Sequence, residues 1–224
     1  MKNIWIIANW KSNKTIAEGL DWVSKVGPNI PKKENLKVVI CPTFSSLSEI
    51  KKIIQVNGFP IMLGAQDLSP YPIGAYTGAE SAFLLKDLID LSILGHSERR
   101  KNFSEDDEMI AKKAEQANES KIIPLVCVQG EETLVPQGCN MIAYEPIWAI
   151  GSGNPDTPES ANKVAGTFIQ KHGDQLEVIY GGSVNSRNVA GFVTQQNISG
   201  VLIGNASLDA DEFIKICQIA SENF

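Results

Sequence analysis

Eight short runs rich in isoleucine, valine and leucine recur along the chain: residues 4–9 (IWIIAN), 37–41 (KVVIC), 61–65 (IMLGA), 91–95 (LSILG), 122–128 (IIPLVCV), 141–145 (MIAYE), 177–181 (EVIYG) and 199–203 (SGVLI). None alternates apolar and polar positions as a half-solvated antiparallel strand does. Continuous apolar runs suit parallel strands covered on both faces. Most are separated by helix-length segments whose apolar residues fall at helical spacing, as with Ile16, Leu20 and Val23, with Ile50, Ile53 and Ile54, and with Val164, Phe168 and Ile169. Boundary signals agree. Ser104 before Glu105, Asp106 and Asp107 predicts a helix start, Asp209 and Glu212 have capping-box spacing, and Thr157-Pro158 puts proline at a first helical position. His172, between Lys171 and Gly173, reads as a helix C-terminal residue.

Strict alternation of strand and helix predicts a parallel α/β fold. Eight units are the number that closes a (β/α)8 barrel, so the chain reads as one barrel domain over residues 1–224. Alternation alone also admits a doubly wound open sheet. One connection is too short for the pattern. The segment that begins at Gln129 and ends at Asn140 has twelve residues, Pro136 and Gly138 among them. The fifth outer helix is therefore expected to be reduced or missing, with room only for a turn over residues 131–135.

Composition narrows the classes of function without choosing one. The net charge is −6, and no basic stripe stands ready for a nucleic-acid backbone. No apolar run reaches the roughly 18 residues of a membrane span, and the opening MKNIWIIAN is too short for a signal peptide, so no membrane contact and a cytoplasmic location are expected. Cys41, Cys127, Cys139 and Cys217 form no C-x-x-C pair, and two histidines make a poor zinc set. Reduced core thiols and no metal are the expectation.

In a barrel, chemistry gathers at the C-terminal ends of the strands. Several polar residues sit there: Asn9-Trp10-Lys11 after the first strand, His96 to Arg100 after the fourth, Glu145 at the end of the sixth, and Gly181-Gly182-Ser183 and Gly204-Asn205-Ala206-Ser207 after the seventh and eighth. Taken singly, each has an ordinary reading as a loop, cap or surface residue. Together they place an acid, a base and a cation at one mouth, with glycine-rich turns whose exposed N–H groups suit a phosphate. Other motifs fail. Gly151-Ser152-Gly153 has Asp156 where a dinucleotide loop needs glycine, and His96-Ser97-Glu98 are neighbours in sequence, which is not a triad geometry.

The segments Ala8-Asn9-Trp10-Lys11, Gly95-His96-Ser97-Glu98-Arg99-Arg100, AYEPIWAIGSG over residues 143–153, and Tyr180-Gly181-Gly182-Ser183-Val184 resemble the triosephosphate isomerase family in content, order and placement across essentially the whole chain. The resemblance implies interconversion of dihydroxyacetone phosphate and glyceraldehyde 3-phosphate through an enediol, without cofactor or metal. It implies Glu145 as the base, His96 as the electrophile and proton shuttle, Lys11 as a third catalytic residue, and Lys11 and Asn9 as substrate contacts. Gly151, Ser183, Gly204 and Asn205 fall on the phosphate grip, with Ser97, Glu98 and Tyr180 as supports. Pro146, Ile147, Trp148, Ala149, Ile150, Gly151, Ser152 and Gly153 resemble the closing lid. A helical turn starting at Ser97 would aim its N–H groups at His96 and disfavour the imidazolium.

The chain departs from the family pattern in two places, at Asn205, where a second glycine is usual, and in the short segment from Gln129 to Asn140. Retained activity with an altered barrel exterior is expected. The loop from Asp67 to Ser81 resembles the arm that docks into a neighbouring subunit, with Thr77 near the partner's active site. A homodimer follows, and a tetramer is a second possibility if loss of the fifth helix bares apolar barrel wall. Two other readings stand beside the isomerase: a phosphate-binding aldolase or epimerase with Lys11 as a Schiff-base candidate, and a non-catalytic phosphate-sensing barrel.

Overall fold

The apolar runs pair into a closed parallel barrel in a computed structural model that describes residues 2–149 and 154–224. Strands β1 (Ile4–Asn9), β2 (Leu36–Cys41), β3 (Met62–Ala65), β4 (Leu91–Leu94), β5 (Ile123–Val128), β6 (Met141–Tyr144), β7 (Glu177–Tyr180) and β8 (Gly200–Ile203) follow one another around it. Pairing of Trp5 with Gly200 closes β1 on β8. The open-sheet alternative is thereby excluded. Each strand lies within one residue of its expected run at either end.

Outside the barrel run α1 (Ile16–Val26), α2 (Leu47–Asn57), α3 (Ala82–Leu85), α4 (Ser97–Phe103), α5 (Asp107–Glu119), α6 (Pro158–His172), α7 (Val189–Val193) and α8 (Ala210–Glu222). Side-chain caps fix several starts. The Thr157 hydroxyl accepts from Ser160 N with Pro158 in the first turn, and the Asp209 carboxylate accepts from Glu212 N. Thr15 and Glu18 form a full capping box on α1, which the sequence reading did not single out. The expected start at Ser104 is corrected. Asp106 caps α5 by accepting from Met109 N, while Ser104 ends α4 in left-handed backbone at φ 55°.

Side chains along a strand alternate between its two faces, which divides the core into two layers. Ile4, Ile6 and Ala8 face the helices, whereas Trp5, Ile7, Leu91, Ile93, Leu125, Cys127, Met141, Ala143, Ile179 and Leu202 fill the barrel interior. The same period of two carries upward to the C-terminal rim. There it sets Asn9, Glu145, Gly181 and Gly204 above Ile7, Ala143, Ile179 and Leu202. The fold thus converts strand periodicity into convergence of the site. All four cysteines are free and buried. Among the described residues, no helix is long and apolar enough to cross a membrane.

The connection from β5 to β6 contains no helix, and the expected helical turn over residues 131–135 reduces to a single turn closed by Thr133 N on Gly130 O at 2.9 Å. The barrel wall beside it is nevertheless covered. Val126, Val128 and Ile142 are fully buried, with Cys139 and half-buried Val135 packed into the same core. The Cys139 thiol donates to the carbonyl of Met141 at 3.0 Å. The strand residues expected to be bared are thus covered, and Leu134 is the exposed large apolar residue of the connection.

Candidate active site

Gly95 turns the chain out of β4 at φ 63°, where a Cβ would lie 2.5 Å from Ile110 Cδ1. This sharp exit points the following residue, His96, into the barrel mouth as the cap of α4. Its Nδ1 accepts from the backbone N–H of Glu98 at 3.2 Å. A backbone N–H only donates, so Nδ1 carries a lone pair and the ring proton sits on Nε2. That nitrogen lies 3.0 Å from Glu145 Oε1. The ring presents its Nε2–H to the mouth, and the first turn of α4 aims the N–H of Glu98 at Nδ1.

Glu145 is 1% exposed and held at both oxygens, Oε1 by His96 and Oε2 by the backbone N–H of Ser97 at 3.1 Å. Beside it, Gly181 is required for space, since a Cβ there would lie 2.8 Å from Glu145 Cγ. Cys127 lies against the same carboxylate. Burial first, and then the Glu145 charge, push its thiol well above the ordinary cysteine range, so it stays protonated. The sequence reading took Cys127 for core filling. Its inward register on β5, two residues beyond Leu125, was the signal available.

Lys11 occupies left-handed backbone at φ 53°. That conformation costs about 1–2 kcal/mol in a residue with a Cβ. Two side chains hold it: Asn9 Oδ1 accepts from Lys11 N at 3.0 Å, and Gln66 Nε2 donates to Lys11 O at 2.8 Å. Its ammonium reaches Glu98 Oε1 at 2.5 Å and its stem passes Gly204, where a Cβ would meet Lys11 Cε at 3.6 Å. The ammonium thus lies between Glu98 on α4 and the turn after the neighbouring strand β8. Gln66 is a second residue the sequence reading passed over.

Asn9, Lys11, His96, Glu145, Gly181, Gly182, Ser183, Val184, Asn185, Gly204, Asn205 and Ala206 surround one cavity of about 390 Å³. Asn205 opens a 3-10 turn (Asn205–Ser207) with ordinary negative φ, so glycine's conformational freedom is not called on there. Ser183, expected in the phosphate grip, and Tyr180, expected as a support, bond to residues flanking the segment 150–153. Ser183 Oγ donates to Ala149 O at 2.8 Å, and Tyr180 Oη accepts from Asp156 N at 2.8 Å. Pro146 is buried, Ile147 to Ala149 form a 3-10 turn, and Ile147 and Trp148 are exposed. Ile150, Gly151, Ser152 and Gly153 lie outside the described residues. Among the described residues, no cluster of histidine, cysteine, aspartate and glutamate could hold a metal.

The sequence of the chain matches the family model of triosephosphate isomerase over residues 4–220. The chain belongs to the triosephosphate isomerase family. It is 42% identical over 243 aligned positions to the triosephosphate isomerase of Mesomycoplasma hyopneumoniae strain 7448, covering 96% of this chain and 98% of that protein. It is 38% identical over 250 aligned positions to that of Dehalococcoides mccartyi strain CBDB1, covering 99% and 98%. The crystal structure of triosephosphate isomerase from Bartonella henselae superimposes with a TM-score of 0.85 at 30% identity, covering 98% of this chain and 99% of that one. As a member of this family the chain is an isomerase. An alignment of 250 positions against 224 residues leaves at least 26 positions at which this triosephosphate isomerase homologue has no residue.

Proposed function

We propose that this chain interconverts dihydroxyacetone phosphate and glyceraldehyde 3-phosphate, with Glu145 as the base, His96 as the electrophile and Lys11 as the cationic substrate contact. The observation that carries the assignment is the pairing of a buried carboxylate with the N–H of a neutral imidazole at 3.0 Å, in one cavity with Lys11 and the turns at Gly182-Ser183 and Gly204-Asn205. Glu145 leaves its bond to Ser97 N and removes a proton from the carbon beside the carbonyl. His96 Nε2–H gives its proton to the carbonyl oxygen, which forms the enediol. The imidazole then regains a proton from the neighbouring hydroxyl, and the Glu145 carboxyl returns its own to the adjacent carbon. The phosphate lies on the N–H groups of the turns, with Asn9 and Lys11 at its flank and Gly151 completing the grip. Residues 146–153 close over it, because an enediol phosphate exposed to water loses phosphate.

The Lys11 ammonium is engaged by the Glu98 carboxylate, unlike the desolvated amine that forms a Schiff base. A coupled assay with glyceraldehyde 3-phosphate is expected to show turnover without added metal. Borohydride treatment in the presence of substrate is expected to leave the protein mass unchanged. A reduced covalent adduct on Lys11 would replace the isomerase reading with an aldolase one, and absence of turnover would leave only the phosphate-sensing reading.

The functional unit is one barrel domain over residues 1–224, assembled as a homodimer in the cytoplasm without nucleic-acid or membrane partners. Support for the dimer comes from the loop between Asp67 and Ser81. Every residue from Tyr71 to Glu80 is exposed, Tyr71 and Tyr76 stack at 4.3 Å, and Ser69 N bonds to Glu80 O at 2.8 Å across the base. A stiffened finger with exposed Ile73 and Tyr76 is shaped to insert into a second copy, bringing Thr77 to that copy's mouth. Light scattering at micromolar concentration is expected to give twice the monomer mass, and a stable monomer would reject this assembly. A tetramer over the short β5–β6 connection has no exposed barrel wall to support it.

A further inference from the structure

Two lysines in the loop between β1 and α1 hold left-handed backbone, Lys11 at φ 53° and Lys14 at φ 68°. Such conformations persist in residues with a Cβ only where the surroundings enforce them, and they gather at functional sites. The conformation of Lys11 is held by Asn9 and Gln66 and sets its side chain in the cavity. Lys14 does not line the cavity, so its conformation needs a separate reason.

Its ammonium crosses to the far end of the chain and donates to the carbonyl of Leu208 at 2.8 Å, passing the ring of Trp10 at 5.5 Å. Trp10 is a fixed post, 1% exposed and packed edge-on against Trp22 at 4.9 Å. Leu208 ends the turn that opens with Gly204 and Asn205. Its N–H donates to Asn205 O at 3.1 Å, and Ser207 N donates to Gly204 O at 2.8 Å. The opening residues of this turn, Gly204, Asn205 and Ala206, face the cavity.

We propose that Lys14 is a positioning residue for phosphate binding. It ties the turn after β8 to the loop that carries Lys11 and so fixes the spacing between the N–H groups and the cation that grip the ligand. The inference rests on the phosphate reading of this cavity. It separates Lys14 from a surface lysine by the combination of strained backbone, an aromatic post and a bond that joins loops 194 residues apart.

The test compares Lys14→Gly, which accepts φ 68° without strain and removes the ammonium, with Lys14→Arg, which keeps a cation of similar reach. Steady-state kinetics supply kcat and KM, and inorganic phosphate supplies a binding constant measured without substrate. Lys14→Gly is expected to raise KM and the phosphate constant together by about three- to fivefold, the scale of one intramolecular hydrogen bond. Its kcat should stay within about twofold, its melting temperature should not fall, and Lys14→Arg should restore both constants. Unchanged KM and phosphate constants in Lys14→Gly would overturn the proposal, as would a common fall in kcat, affinity and melting temperature that marks a general scaffold role. A wild-type chain that binds phosphate through Lys14 yet turns over no triose phosphate would reject the isomerase reading and leave this one standing.

Discussion

Replacing Glu145 by aspartate is expected to lower kcat/KM by about a hundredfold or more, with most of the loss in kcat. The substitution keeps a carboxylate and removes one methylene, so it changes position while the chemistry stays the same. In the resting site this carboxylate is suspended between His96 Nε2 and Ser97 N, with the thiol of Cys127 also against it. A shortened side chain cannot reach these donors and a substrate carbon from the same backbone position. Gly181 leaves the space beside Glu145 Cγ that a Cβ would fill, so the carboxylate's place depends on these donors. The coupled assay on the purified variant checks this, and a kcat/KM equal to that of wild type would remove Glu145 from its role as base.

Lys113→Met is expected to destabilise the fold by about 3–5 kcal/mol, the cost of stripping one partner from a buried ion cluster. Lys113 is 2% exposed on α5. Its ammonium meets both oxygens of Asp67 at 2.6 and 2.8 Å and Glu105 Oε1 at 2.5 Å. Arg99 completes the group, with Nη2 at 2.9 Å from Asp67 and Nε at 2.6 Å from Glu105. Burial pushes the Asp67 carboxyl up, against the pull of Lys113, so removing the lysine leaves two carboxylates facing one partly exposed guanidinium. At fixed protein concentration the melting temperature should fall by about 10 °C. Adding Glu105→Gln should recover more than half of the loss, because the penalty lies in an unpaired charge. A double variant no more stable than Lys113→Met would assign the loss to packing instead.

This cluster joins the root of the 67–81 loop to α4, and therefore to the helix whose first turn orients His96. The sequence offered one trace of it, a lysine among Ile110, Ala114 and Ala117 on the buried stripe of a helix. A charge at an apolar position implies a partner, although its identity needs the tertiary structure. The start of α5 shows the limit of local signals in another way. Ser104 and Asp106 are both good caps by residue type, and the choice fell to Asp106 because Ser104 is used in left-handed backbone to turn the chain out of α4.

The sequence by itself determined the eight strands, their parallel arrangement and the residues offered at the mouth, because all three depend on short-range periodicity. A run covered on both faces reads as continuously apolar, and a period of two sets which strand-end residues point inward. It also located the deficit between β5 and β6, since twelve residues cannot contain two loops and a helix. Only the tertiary structure decided that this deficit leaves no bare wall, that Cys127 rests against Glu145, and that Lys14 reaches Leu208. Those outcomes depend on contacts between segments far apart in sequence, brought together by closure of the barrel. The physical reason is the same in each case: periodicity states which way a side chain points, and packing alone states what it meets.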